Sequence, residues 1–163
     1  MITLLQPGYR KIMQLFYKEK NAVLHLREIA RRTKLHGPST TKFLKDLEQN
    51  NILVAKKEIH LKNYRLQQST RSYVFFTAFD VERFEQLPSI RKNAIRIYLQ
   101  KLQEKPLFAL LFGSTAKKTY NEESDIDILL ITNKNISTKT AEKEADAITA
   151  MNIKTFQMTY NDF

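Results

Sequence analysis

The run Phe112-Gly113-Ser114 and then, after nine intervening residues, Ser124-Asp125-Ile126-Asp127-Ile128-Leu129 decides how the second half of this 163-residue chain is read. Residues 107–112 form a nearly continuous apolar stretch of strand length, as expected for a strand covered on both faces. At the turn that follows, Gly113 admits close backbone approach and Ser114 offers a hydroxyl beside the start of a short helix. Free N–H groups there suit a phosphate, although most Gly-Ser pairs are ordinary turns. Residues 124–132 read as a second strand. Its period of two turns Asp125 and Asp127 to one face, roughly 6.6–6.8 Å apart along the backbone, and sends Ile126, Ile128 and Leu130 to the other. Carboxylates about 5 Å apart repel by about 3 kcal/mol at an effective dielectric constant of 20, which favours a cation between them. Magnesium suits hard oxygen donors and commonly bridges carboxylates to nucleotide phosphates. Taken alone, Asp-x-Asp also fits a solvent-facing strand end.

The surrounding pattern is helical before the turn and mixed after it. Ile90, Ala94, Ile97, Tyr98 and Leu102 form a stripe that predicts a helix within residues 80–105, with Pro88 near its start and Pro106 at its end. Residues 138–151 read as a helix and residues 153–159 as a third strand. Apolar strand, Gly113-Ser114, nine residues, Ser124-Asp125-Ile126-Asp127 and the apolar run after it together resemble the signature of the DNA polymerase beta-like nucleotidyltransferase superfamily, most closely its minimal prokaryotic members, over residues 89–163. The resemblance implies a phosphate-binding role for Gly113 and Ser114, and metal-binding, catalytic roles for Asp125 and Asp127. It also implies Mg2+ and a nucleoside triphosphate, whose α-phosphate is attacked by an acceptor hydroxyl with release of pyrophosphate. Two departures stand out. Where relatives carry arginines after Gly-Ser, this chain has Lys117-Lys118; Lys117 can supply phosphate charge with less bidentate geometry, and Lys118 equally fits a solvated face. Residues 153–159 hold no Asp or Glu to match the third carboxylate of active members; Asp162 lies just beyond.

The charge is concentrated elsewhere. Residues 1–80 hold 15 Lys/Arg against 6 Asp/Glu, and residues 81–163 hold 12 against 11, so nearly all of the net +10 belongs to the first half. Such asymmetry favours a polyanion partner, DNA being the expected one. Helices are expected over residues 6–20, 24–34 and 39–50, the last following the His36-Gly37-Pro38 turn. Strand-like pieces Ile52-Leu53-Val54-Ala55 and Asn63-Tyr64-Arg65-Leu66 flank a charged tip. Over residues 8–68 this order resembles a winged helix-turn-helix domain. The resemblance implies that residues 39–50 enter a major groove, with Thr41, Lys42 and Lys45 facing out, while Arg31, Arg32 and the wing lysines Lys56, Lys57 and Lys62 meet phosphates. Tyr73-Val74-Phe75-Phe76 reads as a strand or helix start that packs this module.

Zero cysteines exclude disulfides and thiolate metal sites. His25, His36 and His60 lack ligand spacing and read as ordinary surface or packing residues. No Walker-type loop or Ser/His/Asp order appears. No apolar run approaches a membrane span, and residues 1–14 lack a signal-peptide layout, so a cytoplasmic protein without membrane association is expected. The expectation is therefore an α/β (α+β) chain: a winged helix-turn-helix domain at 1–78, a linking helix at 79–105, and a nucleotidyltransferase-like mixed sheet with flanking helices at 106–163. Its expected function is that of a DNA-binding protein with a Mg2+-dependent nucleotidyltransferase domain. The alternative is a transcription regulator whose transferase-like domain senses a nucleotide or serves as a scaffold. A homodimer, or a protein partner that completes the site, is compatible with either.

Overall fold

The computed structural model describes residues 6–58 and 61–162, and it divides into two compact units, Met1–Arg83 and Phe84–Phe163. His60 and residues 1–5 of the leading segment lie outside the described residues.

In the first unit, Pro7 begins α1 (Pro7–Lys18), where its missing N–H costs nothing. β1 (Val23–His25), α2 (Leu26–Thr33), α3 (Gly37–Gln49), β2 (Leu53–Glu58), β3 (Leu61–Leu66) and α4 (Thr70–Glu85) follow. The strands form an antiparallel sheet of order β1-β3-β2. This helix, strand, helix, helix, hairpin order, with the short first strand added to the hairpin's free edge, is the winged-helix arrangement. Ile12, Met13, Phe16, Ile29, Leu44 and Leu47 are fully buried at its centre. Gly8 is required where α1 meets α3, because a Cβ there would stand 2.1 Å from the Phe43 ring.

Two local readings change. The helix expected from residue 24 begins at Leu26, since Val23, Leu24 and His25 pair with Arg65, Tyr64 and Asn63. Three residues are too few to show strand alternation in sequence. His25 is the helix N-cap, its Nδ1 accepting from the Glu28 N–H at 3.3 Å. Tyr73 to Phe76 fall inside α4; Phe75, Phe76 and Phe79 are buried, and the latter two pack edge-on against Tyr17.

The second unit contains α5 (Ser89–Lys101), β4 (Phe108–Leu111), the short α6 (Gly113–Lys117), β5 (Ile126–Thr132), α7 (Lys139–Thr149) and β6 (Ile153–Thr159). In place of one linking helix over 79–105, the chain runs through the end of α4, a break at 86–88 and then α5, whose Ala94, Ile95 and Tyr98 belong to this unit's core. Pro88 sets the break, having no N–H to continue a helix. The sheet order is β4-β5-β6, with β4 antiparallel and β6 parallel to β5; α7 makes the crossover that parallel strands need.

One sheet face carries Ile126, Ile128, Leu130 and Ile153 into the core with Ala141 and Ala145 of α7. The other face is open. The expectation that the strand at 107–112 is covered on both faces is corrected here: Phe108 is 56% and Leu110 43% exposed, beside Phe156 at 50%. β4 is an edge strand, and its apolar run marks an open face as readily as a buried one. Among the described residues, no helix is long and apolar enough to cross a membrane.

Candidate active site and nucleic-acid interface

The site is assembled where β4, α6 and the start of β5 meet. Gly113 opens α6 at a φ of +64°, and a Cβ on it would lie 2.1 Å from Asp127 Oδ2. Only glycine meets both demands. The Phe112 N–H donates to the Asp127 carbonyl at 3.1 Å, which ties the turn to β5. Buried Thr115 donates its hydroxyl to the Asp125 carbonyl at 3.3 Å and accepts from Arg91 Nη1 at 3.0 Å. Arg91 is only 3% exposed; its Nη2 donates to the Asn121 and Ser124 carbonyls at 2.8 and 2.9 Å, and its guanidinium lies 4.2 Å from the Tyr120 ring centroid. One buried cation thus fastens both ends of the 113–125 connection.

Gly113 and Asp127 are therefore brought together as expected, with Asp125 immediately before β5. Ser114 is half-buried, and its carbonyl accepts from the Thr119 N–H at 3.0 Å. Lys117 is exposed in the last turn of α6, with no ion-pair partner among the described residues. Lys118 donates to Gln86 Oε1 at 2.6 Å.

Strand register decides what faces the acids. Asp127 is paired with Lys154 on β6. Lys154 Nζ lies 2.5 Å from Asp125 Oδ2, and Asn152 Nδ2 donates to Asp125 Oδ1 at 2.7 Å. The Lys154 ammonium, aided by the Asn152 amide, holds the Asp125 carboxyl below its usual range, and Asp125 in turn raises the lysine. Asp162 lies beyond the far end of β6, where it accepts from the Thr159 hydroxyl. Five residues of strand separate Thr159 from Lys154, about 16 Å, so Asp162 supplies no third carboxylate at the pair. Lys154, Asn152 and Arg91 carry no sequence signal of their own; Lys154 is found only by aligning β6 beside β5.

In the first unit, Pro38, Thr41, Lys42, Lys45 and Gln49 are exposed on α3. At 100° per residue they occupy an arc of about 100°, opposite buried Thr40, Leu44 and Leu47. Lys42 and Lys45 have no ion pair among the described residues. A groove of about 830 Å³ runs between this face and the wing, lined among others by His25, Arg27, Thr41, Lys45 and Lys62. Of the other expected contacts, Arg31 is paired to Glu28 at 2.7 Å and Arg32 to Glu19, while Lys56 lies 3.1 Å from Glu58 and Lys62 2.7 Å from Glu48. Lys57 is exposed on β2. Exposed pairs of this kind are worth about 0–1 kcal/mol and give way readily to a phosphate. Arg27, which the sequence reading passed over, joins the groove because β1 draws the start of α2 toward the wing.

Residues 92–159 match the family model described as Polymerase beta, Nucleotidyltransferase. Gly113, Ser114, Lys117, Asp125, Asp127 and Lys154 all fall inside the match. No curated protein matches the chain. Among solved structures, the chain is similar to MepR, a transcription regulator of the Staphylococcus aureus multidrug efflux pump MepA, at 20% identity over 58% of this chain and 74% of that one, with a TM-score of 0.40. It is also similar to ZitR, a zinc-responsive MarR family member of Lactococcus lactis, at 13% identity over 61% of this chain and 74% of that one, with a TM-score of 0.35. TrmBL2, an archaeal chromatin protein, is similar at 17% identity over 93% of this chain and 64% of that one, with a TM-score of 0.33.

The divalent metal ions implied by the matched family's pattern do not fit the donor set as it is arranged. Both Asp125 side-chain oxygens are taken, one by an amide and one by an ammonium. No group of three or more His, Cys, Asp or Glu side chains suited to a metal gathers among the described residues.

Proposed function

We propose, from the premise that residues 92–159 are a nucleotidyltransferase domain of the polymerase beta family, that this protein is a DNA-binding regulator whose transferase-like domain binds a nucleotide without transferring it. The observation that carries this reading is the Lys154 ammonium on Asp125, at the strand position paired with Asp127. A third carboxylate there would add negative charge to hold metal; an ammonium removes it. The phosphates of a nucleoside triphosphate would then meet the Gly113-Ser114 turn and Lys117, with positioning and charge as the domain's contribution.

DNA binding is supported by the charge of the first unit and by the exposed face of α3 in a winged-helix arrangement. Thr41, Lys42 and Lys45 would face the major groove, and the cations Arg31, Arg32, Lys56, Lys57 and Lys62 would meet phosphates. Nucleotide and DNA are coupled in this reading, each changing the affinity for the other by one and the same factor.

The transferase reading has Mg2+ on Asp125 and Asp127 and a nucleoside monophosphate passed to an acceptor. The retained Gly-Ser and Asp-x-Asp pattern supports it, and it requires Lys154 to leave Asp125. One experiment separates the two. The full chain is incubated with each of the four ribonucleoside triphosphates and Mg2+, with and without duplex DNA, while DNA affinity and pyrophosphate are both followed. The regulatory reading expects one nucleotide to shift DNA affinity by about 5-fold or more, with no pyrophosphate formed. Pyrophosphate release that is abolished in an Asp125→Asn/Asp127→Asn variant would replace it with the transferase reading.

A further inference from the structure

The carboxylate pair already has a cation. Lys154 Nζ lies 2.5 Å from Asp125 Oδ2, and the β5–β6 register places the same residue beside Asp127. Asn152 occupies the other Asp125 oxygen from the residue just before β6. Asp127 is confined from the opposite side, its Oδ2 packed over Gly113 where even a methyl group would not fit. The two acids are thus neither bare nor arranged around an open centre. One is saturated by donors, and the other borders a single positive charge.

We propose that Lys154 serves this domain as a built-in cation, filling the place against Asp125 and Asp127 that the nucleotidyltransferase pattern gives to a divalent metal ion, so that the free site does not bind one. The inference rests on reading the Gly113 to Asp127 cleft as the domain's ligand site. A divalent ion entering here meets two costs. It must displace an ammonium from the carboxylate it needs, and it must remain close to that ammonium afterwards, since Lys154 is anchored by strand pairing on both flanks. A bound anion meets the opposite situation: the ammonium can turn from Asp125 toward a phosphate oxygen without any strand movement. Lys154 side-chain exposure of 57% leaves it that freedom. The specificity that follows is for a phosphate-bearing ligand bound without an obligatory metal.

Mn2+ alone is the probe, because its binding can be read by electron paramagnetic resonance without a nucleotide or any turnover. The full-length protein is compared with Lys154→Gln, which removes the charge and keeps a donor, and with Lys154→Asp, which completes a three-carboxylate cluster. Circular dichroism of each variant establishes that it is folded; the exposed position makes both substitutions tolerable. The expected result is weak, non-saturating Mn2+ binding to the natural protein and saturable binding to Lys154→Asp, tighter by about tenfold or more, with Lys154→Gln between them. Saturable binding to the natural protein as tight as to Lys154→Asp would overturn the proposal, as would Lys154→Asp binding that survives Asp125→Asn. Failure of the nucleotide-binding reading is a separate outcome, recognised by the absence of ATP binding in all three proteins whatever their affinity for Mn2+.

Discussion

Arg91 donates to the Thr115 hydroxyl at 3.0 Å within the interior of the second unit, and Thr115 donates onward to the Asp125 carbonyl at 3.3 Å. A residue of α5 therefore sets the position of the acidic pair through a single intermediary. Removing the guanidinium leaves three acceptors unpaired in a buried setting. Arg91→Ala is expected to destabilise the second unit by about 3 kcal/mol or more. Thr115→Val, which breaks only the relay, should cost about 1–2 kcal/mol. Urea unfolding of both single variants and the double variant measures this. Additive losses would show that the two residues act independently and would remove Arg91 from the site.

Gly113 has a second constraint besides its backbone angle. Because a methyl group there would press on Asp127 Oδ2, Gly113→Ala should cost about 1–3 kcal/mol of stability. It should also weaken ATP binding more than the stability loss explains. Calorimetric titration with ATP, well below the variant's melting temperature, provides the check; an unchanged dissociation constant would mean that the turn does not contact the nucleotide.

The alkaline limit of stability follows from two tyrosines. Burial pushes the Tyr98 hydroxyl up to about 12, in company with its hydrogen bond to Thr155 at 2.7 Å. Burial, reinforced by a hydrogen bond to Asp46, pushes Tyr9 to about 12 as well. For a group that is neutral below its pKa, the raised folded value means a stabilising contribution complete below about 10, the unfolded value. That contribution is lost as pH rises from there toward about 12. Denaturation midpoints across this window should fall in the natural protein, with a shallower fall in Tyr98→Phe. An identical slope would show that Tyr98 ionises freely.

DNA affinity should be governed by salt. If each half of a dimer neutralises about 4 phosphates, the plot of log affinity against log salt has a slope near −7. Lys42→Ala and Lys45→Ala on the exposed face of α3 should each reduce that slope by about 0.9 per subunit lost from a phosphate contact. Fluorescence anisotropy with a duplex at several salt concentrations measures it. A flat response would contradict the winged-helix reading of the basic half.

How much of this was legible beforehand depends on the range over which each feature is encoded. The exposed stripe Thr41, Lys42, Lys45 follows from a 3.6-residue period, and the common face of Asp125 and Asp127 follows from a period of two. Both lie within one element, so local sequence suffices. The three-residue strand β1 was missed because its pairing with β3 is a contact between distant segments, and the open face of β4 was misjudged because an apolar run does not state how many faces are covered.

The sequence by itself thus determined that a glycine-serine turn precedes a pair of acids on one strand, and that a basic helix-turn-helix precedes both. Only the tertiary structure decided what confronts those acids. Register between β5 and β6 is set by which side chains reach the core, Ile153 beside Ile126 and Thr155 beside Ile128. A slip of one residue would turn every β6 side chain to the other face. That long-range choice is what brings Lys154, 27 positions after Asp127, against a carboxylate pair whose own sequence called for a metal.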